Sequence, residues 1–95
     1  ALRREEEKGA LWENYIFTER LKRNTYLQQD TTYYFWRTYD QQEIDLLEED
    51  NKKISAFEFK YSAKKQPKVP IAFANAYPKA KFKVINPSNY LDYIF

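Results

Sequence analysis

The chain of 95 residues contains no cysteine, no histidine and no methionine, with one glycine and four prolines. Without cysteine there is no disulfide scaffold and no thiol nucleophile. Without cysteine and histidine together, the usual zinc ligand sets and imidazole acid–base chemistry are excluded. Any metal must sit on oxygen ligands, which selects Mg²⁺, Mn²⁺ or Ca²⁺. No G-x-x-x-x-G-K and no G-x-G-x-x-G is present, so neither glycine-rich route to a nucleotide exists. No apolar run approaches the ~18 residues of a membrane helix, and no signal peptide is visible. With the lack of cysteine, the expectation is a cytoplasmic chain with no membrane partner. A chain without methionine has no initiator of its own, and it reads as a piece of a longer protein or a processed one.

What is there is aromatic and unevenly charged. Aromatic residues make up 19% of the chain, and each ring removes a large area from water. That helps a single small domain, 1–95, to close a modest core. The net charge is +2, but residues 1–59 carry nine basic and thirteen acidic side chains, whereas residues 60–95 carry seven lysines and one acid, Asp92. Those lysines are Lys60, Lys64, Lys65, Lys68, Lys79, Lys81 and Lys83. Such a patch attracts polyanions, nucleic acid among them; a solvated face that keeps the domain soluble is the other reading.

Leu2 to Glu7 is charged and reads as a frayed lead-in. Lys8 to Asn24 is predicted as a helix: Ala10, Leu11, Tyr15 and Leu21 fall near helical spacing, Trp12, Ile16 and Phe17 widen the stripe, and Glu19, Arg20, Lys22 and Arg23 cover the wetter side. Strands are predicted at 31–39, 43–49 and 53–61 from β-branched and aromatic content, joined by the polar turns 40–42 and 48–52. A polar, lysine-rich loop, Ser62 to Lys68, follows. Pro70 suits the first turn of a second helix and Pro78 ends it. Lys81 to Asn86 alternates as a fourth strand, and Ser88 or Asn89 can cap a last short helix through Ile94. The fold class expected is α+β: a helix, a three-stranded antiparallel meander, then a helical crossover returning a strand parallel to a central one, in a mixed sheet.

The chemistry concentrates at Glu43-Ile44-Asp45-Leu46-Leu47 and Phe57-Glu58-Phe59-Lys60. Thirteen positions separate Asp45 from Glu58. Strand alternation puts Ile54, Ala56, Glu58 and Lys60 on one face, with Ser55, Phe57, Phe59 and Tyr61 on the other. It puts Asp45 with Glu43 and Leu47. If the strands are neighbours, Asp45 and Glu58 converge, and two carboxylates beside a lysine can hold a hard divalent cation and a phosphate. Glu13 lies in the middle of the apolar turn of the first helix, at the stripe's edge or turned towards a site. Taken singly, each has a plainer reading: a rim glutamate, an edge-strand charge, or cross-strand ion pairs worth about 0–1 kcal/mol. The set is stronger, because a strand apolar on both faces is buried on both, and charges there cost desolvation unless paired or bound.

The order helix-Glu, strand-Asp, strand-Glu-x-Lys, helix, strand resembles the PD-(D/E)xK nuclease-like fold, that is, a restriction-endonuclease-like core. More closely, Gly9-Ala10-Leu11-Trp12-Glu13-Asn14-Tyr15, Tyr34-Phe35-Trp36-Arg37-Thr38, Glu43 to Leu47 and Phe57 to Ser62 resemble the domain of unknown function at the C-terminus of prokaryotic AAA-type ATPases. The resemblance runs from about Lys8 to the end. It implies an upstream ATPase domain that holds the ATP site. It implies Asp45 and Glu58 as ligands of Mg²⁺ or Mn²⁺, with a backbone carbonyl near Phe59. It implies Lys60 as the group that orients the attacking water and offsets phosphate charge, and Glu13 as a further catalytic or ligating carboxylate. Ile44 stands where that pattern usually has proline. The Lys64, Lys65 and Lys68 stretch would then track a nucleic-acid backbone. Three functions follow: a metal-dependent nuclease (a hydrolase) acting on DNA or RNA, a non-catalytic module coupling an ATPase to nucleic acid or protein, and an oligomerisation patch that makes a homo-oligomer.

Overall fold

The structure, a computed structural model, describes residues 4–62 and 67–95. Element order is α1 (Arg4–Tyr26), β1 (Thr32–Arg37), β2 (Glu43–Asp50), β3 (Lys53–Phe59), α2 (Ile71–Ala76), β4 (Lys81–Ile85) and α3 (Tyr90–Ile94). The four strands form one mixed sheet in the order β1-β2-β3-β4. The first three pair antiparallel as a meander, and β4 returns through α2 to lie parallel to β3. The domain is α+β.

The α1 helix begins at Arg4, ahead of the apolar pattern that starts near Lys8, because glutamate and lysine propagate a helix well. Its buried side is not the one expected. Ile16 is fully buried, with Trp12 and Phe17 packed beside it, whereas Leu11 and Tyr15 are 70% and 48% exposed. The inner stripe is completed by two polar residues: Arg20, whose side chain is 13% exposed, and the buried Asn24. Arg20 therefore does not cover the wetter side. It sits four residues from both Ile16 and Asn24, so helical geometry alone turns it inward. The helix ends two residues past Asn24, at Tyr26, in a Schellman-type cap: Gln29 N–H donates to Asn24 O, Gln28 N–H donates to Thr25 O, and Gln28 takes a left-handed φ of 56°.

Two cores cover the two faces of the sheet. On one, Leu46, Phe57, Phe59 and Ile85 pack with Ile16 of α1 and with Tyr93 and Ile94 of α3. On the other, Ile44, Leu47 and Ala56 pack against Phe73 of α2. Strand β3 is thus covered on both sides, as its sequence implies. At the start of α3, Asn89 is the N-cap residue but its side chain does not cap. Its Oδ1 accepts from Asn86 N and its Nδ2 donates to Val84 O, tying the helix to the end of β4.

The β2 strand breaks alternation. Tyr34 pairs with Leu47 and Trp36 with Ile44, so two steps along β1 face three along β2. The extra residue is a bulge at Asp45–Leu46. It lets Ile44 and Leu47 fill the same core while Leu46 fills the other. The expectation that Asp45 simply shares a face with Glu43 and Leu47 fails for this reason. The β2–β3 hairpin turns through Asn51 and Lys52, with φ of 50° and 65°. This is the two-residue geometry that favours glycine, and a lysine there carries strain of about 1–2 kcal/mol.

Candidate functional site

The bulge aims Asp45. Backbone pairing of β2 with β3 runs from Asp50–Lys53 to Leu46–Phe57 and stops there. Beyond it the ladder continues through side chains. Asp45 N–H donates to Glu58 Oε1 at 2.9 Å, and Phe59 N–H donates to Asp45 Oδ2 at 2.8 Å. The two carboxylates therefore lie side by side where β2 begins and β3 ends, and each gives one oxygen to a backbone N–H. Neither Asp45 Oδ1 nor Glu58 Oε2 has a hydrogen-bond partner among the described residues.

The α1 helix brings Glu13 to the same end of the sheet. One residue earlier, Trp12 packs on Tyr61, just past β3, with ring centres 5.8 Å apart, and on Tyr90 at 6.2 Å. Burial pushes the Glu13 carboxyl up from the ordinary 4.5, the Asp45 charge pushes it further, and Lys60 partly opposes both. Glu58 is raised in the same way, first by burial and then by Asp45, against the Asp45 backbone N–H and Lys60. These mutual influences put Glu13, Asp45, Glu58 and Lys60 in one electrostatic neighbourhood. Three carboxylates against one ammonium leave a formal excess of two negative charges. Lys60 is exposed, and its backbone N–H is anchored to Ile85 O at 2.8 Å.

Among the described residues, no three His, Cys, Asp or Glu side chains form a ready-made metal cage. The two backbone-anchored carboxylates, with Glu13 close enough to feel Asp45, are the extent of the cluster. Of the lysines expected along a nucleic acid, Lys68 is exposed on the segment before α2, while Lys64 and Lys65 lie outside the described residues. No described helix is long and apolar enough to cross a membrane.

The family profile for a domain of unknown function, DUF4143, matches residues 8–93. The chain belongs to the DUF4143 family. No curated protein and no solved structure matches it.

Two arrangements of this DUF4143 domain escaped the sequence reading. One is an ion pair inside the protein: Arg20 Nε and Nη2 donate to Glu48 Oε2 and Oε1, both at 2.9 Å, and Tyr93 OH donates to Oε2 at 3.1 Å. The other is a basic groove of about 600 Å³ lined by Lys52, Lys53, Lys79 and Lys81 around Tyr77. Only Lys79 and Lys81 belong to the lysine-rich half. The adjacent Lys52-Lys53 pair was a signal, lost because it sits in the acidic half.

Proposed function

We propose that this domain is nuclease-like, with Asp45 and Glu58 holding Mg²⁺ or Mn²⁺ for hydrolysis of a phosphodiester bond in DNA. The observation that carries the reading is the two hydrogen bonds, Asp45 N–H to Glu58 and Phe59 N–H to Asp45, that fix both carboxylates at the same end of the sheet. Their chemistry fits the ion. Mg²⁺ is commonly bound through one or two carboxylates and several waters, with substrate phosphate completing its shell, and this pair retains one oxygen on each carboxylate. Burial first, and the Asp45 charge second, raise the proton affinities of Glu13 and Glu58, and a cation would offset both. A bound ion would lower the pKa of its water and offset charge on the scissile phosphate.

The chain's own residues supply the rest. Lys60 places an ammonium beside the pair, where it neutralises charge on an incoming phosphate and orients the water that attacks it. Glu13, half-buried on α1, holds or takes up a proton at its carboxylate from the same neighbourhood. The mixed sheet, with β4 parallel to β3 and Asp45 and Glu58 on adjacent strands, supports a restriction-endonuclease-like core of the PD-(D/E)xK kind. The domain is read as one that would follow an AAA-type ATPase domain, which would hold the ATP site, and as acting in the cytoplasm.

A second reading has its own support. Asp45 and Glu58 each use an oxygen to replace a missing ladder hydrogen bond, which is a structural task a non-catalytic module coupled to the ATPase would also retain. Plasmid nicking in Mg²⁺ separates the two. The nuclease reading expects wild-type nicking and a loss of about 10²-fold or more in Lys60→Ala. Equal rates in both proteins, or no nicking by the wild type, leaves the non-catalytic reading.

A further inference from the structure

A second site stands at the opposite end of β3. Lys53 and Glu58 are five steps apart along the strand, roughly 17 Å, so the basic groove is distinct from the acidic pair. Its volume, about 600 Å³, is that of a pocket for a small organic ligand. Lys52, Lys53, Lys79 and Lys81 are among the residues that line it, and none of the four forms an ion pair among the described residues. Lys81 lies beside Ser55 in the parallel register of β3 and β4, so a hydroxyl neighbours the charges. Lys79 and Tyr77 are set by one turn, in which Ala80 N–H donates to Tyr77 O at 3.1 Å and Pro78 fixes the second position. Tyr77 packs on Phe73 with ring centres 5.1 Å apart and stays 40% exposed, so it offers a supported aromatic surface.

The backbone adds an independent observation. Lys52 keeps a left-handed φ of 65° at a hairpin position suited to glycine. Strained positions of this kind cluster at functional sites, and Lys52 is one of the residues lining the groove.

We propose that this groove binds a nucleotide-type ligand, its phosphates among Lys52, Lys53, Lys79 and Lys81 and its base against Tyr77. Several unpaired ammoniums in a small volume match a polyphosphate better than a single carboxylate, and the aromatic wall matches a flat ring. The same chemistry is offered by a free nucleotide and by a nucleotide within a strand. The inference goes beyond the nuclease reading and does not rest on it, since no cation is needed.

Calorimetry of the full chain in EDTA tests it, with ATP, pyrophosphate, adenosine and an oligothymidylate as probes. ATP is expected to bind more tightly than either pyrophosphate or adenosine. Tighter binding of the oligothymidylate than of ATP assigns the groove to a strand, and the reverse assigns it to free nucleotide. The Lys79→Ala/Lys81→Ala variant should lose about tenfold in affinity for ATP. Lys52→Gly should weaken binding while raising the melting temperature, because glycine relieves the left-handed strain; a merely structural lysine would show only the second effect. No heat with ATP or oligothymidylate, or wild-type affinity in the double variant, overturns the proposal. So does equal binding of polyglutamate, which would reduce the groove to a generic polyanion surface. Because EDTA removes the cation, failure here leaves the nuclease reading standing, and failure to nick DNA leaves the groove standing.

Discussion

At Glu58, burial and the neighbouring Asp45 charge raise the proton affinity, while the Asp45 backbone N–H and Lys60 lower it, and the balance is upward. Glu13 follows the same direction. A carboxyl with a raised folded-state pKa keeps its proton to higher pH in the folded chain than in the unfolded one. Its stabilising contribution is complete below the unfolded value and is lost as pH rises through the folded one. In EDTA, the wild type should therefore gain thermal stability as pH falls from neutral towards the ordinary glutamate value of 4.5. Glu58→Gln retains an acceptor for Asp45 N–H and removes the charge, so it should be more stable than wild type at neutral pH and flatter across that window. Parallel melting curves for the two proteins through the window would show that the crowding of carboxylates is not felt.

Between elements, the firmest polar tie is Arg20. It joins α1 to β2 through the two hydrogen bonds to Glu48, and to α3 through Nη1 donating to Tyr93 O at 2.7 Å. Its guanidinium also lies 4.2 Å from the centre of the Tyr93 ring. With burial and the Glu48 charge beside it, the Tyr93 hydroxyl is held far above its ordinary proton affinity, so it remains a donor to Glu48. Removing one partner of such a buried pair strands the other. Arg20→Met should cost about 3–5 kcal/mol in chemical denaturation. Arg20→Met/Glu48→Leu should recover much of that, because neither charge is then left alone. A double variant as unstable as the single would show that the loss comes from packing rather than from the stranded carboxylate.

Across the molecule, the sequence made the architecture readable where periodicity was clean. Phe57 and Phe59 alternate with Ala56 and Glu58, so both β3 faces and its central place could be inferred, and Pro70 and Pro78 bracketed α2. The pattern failed where neighbours were all apolar or where a charge was inside. Leu46 and Leu47 are both buried, and such a run hides the bulge that aims Asp45. Its charge alone places Arg20 outward, because its partner, Glu48, is 28 positions away and leaves no local trace. The candidate site was legible as a spacing of residue types, but not as the exchange of side-chain for ladder hydrogen bonds that defines it.

Nuclease chemistry here requires Asp45 and Glu58 to form a hard-cation site, and Mn²⁺ titration by calorimetry at neutral pH tests that most directly. That requirement predicts saturable binding by the wild type and loss of about tenfold or more in affinity for Glu58→Gln, whose amide can still accept from Asp45 N–H but carries no charge. No binding by the wild type, or equal binding by Glu58→Gln, would contradict it.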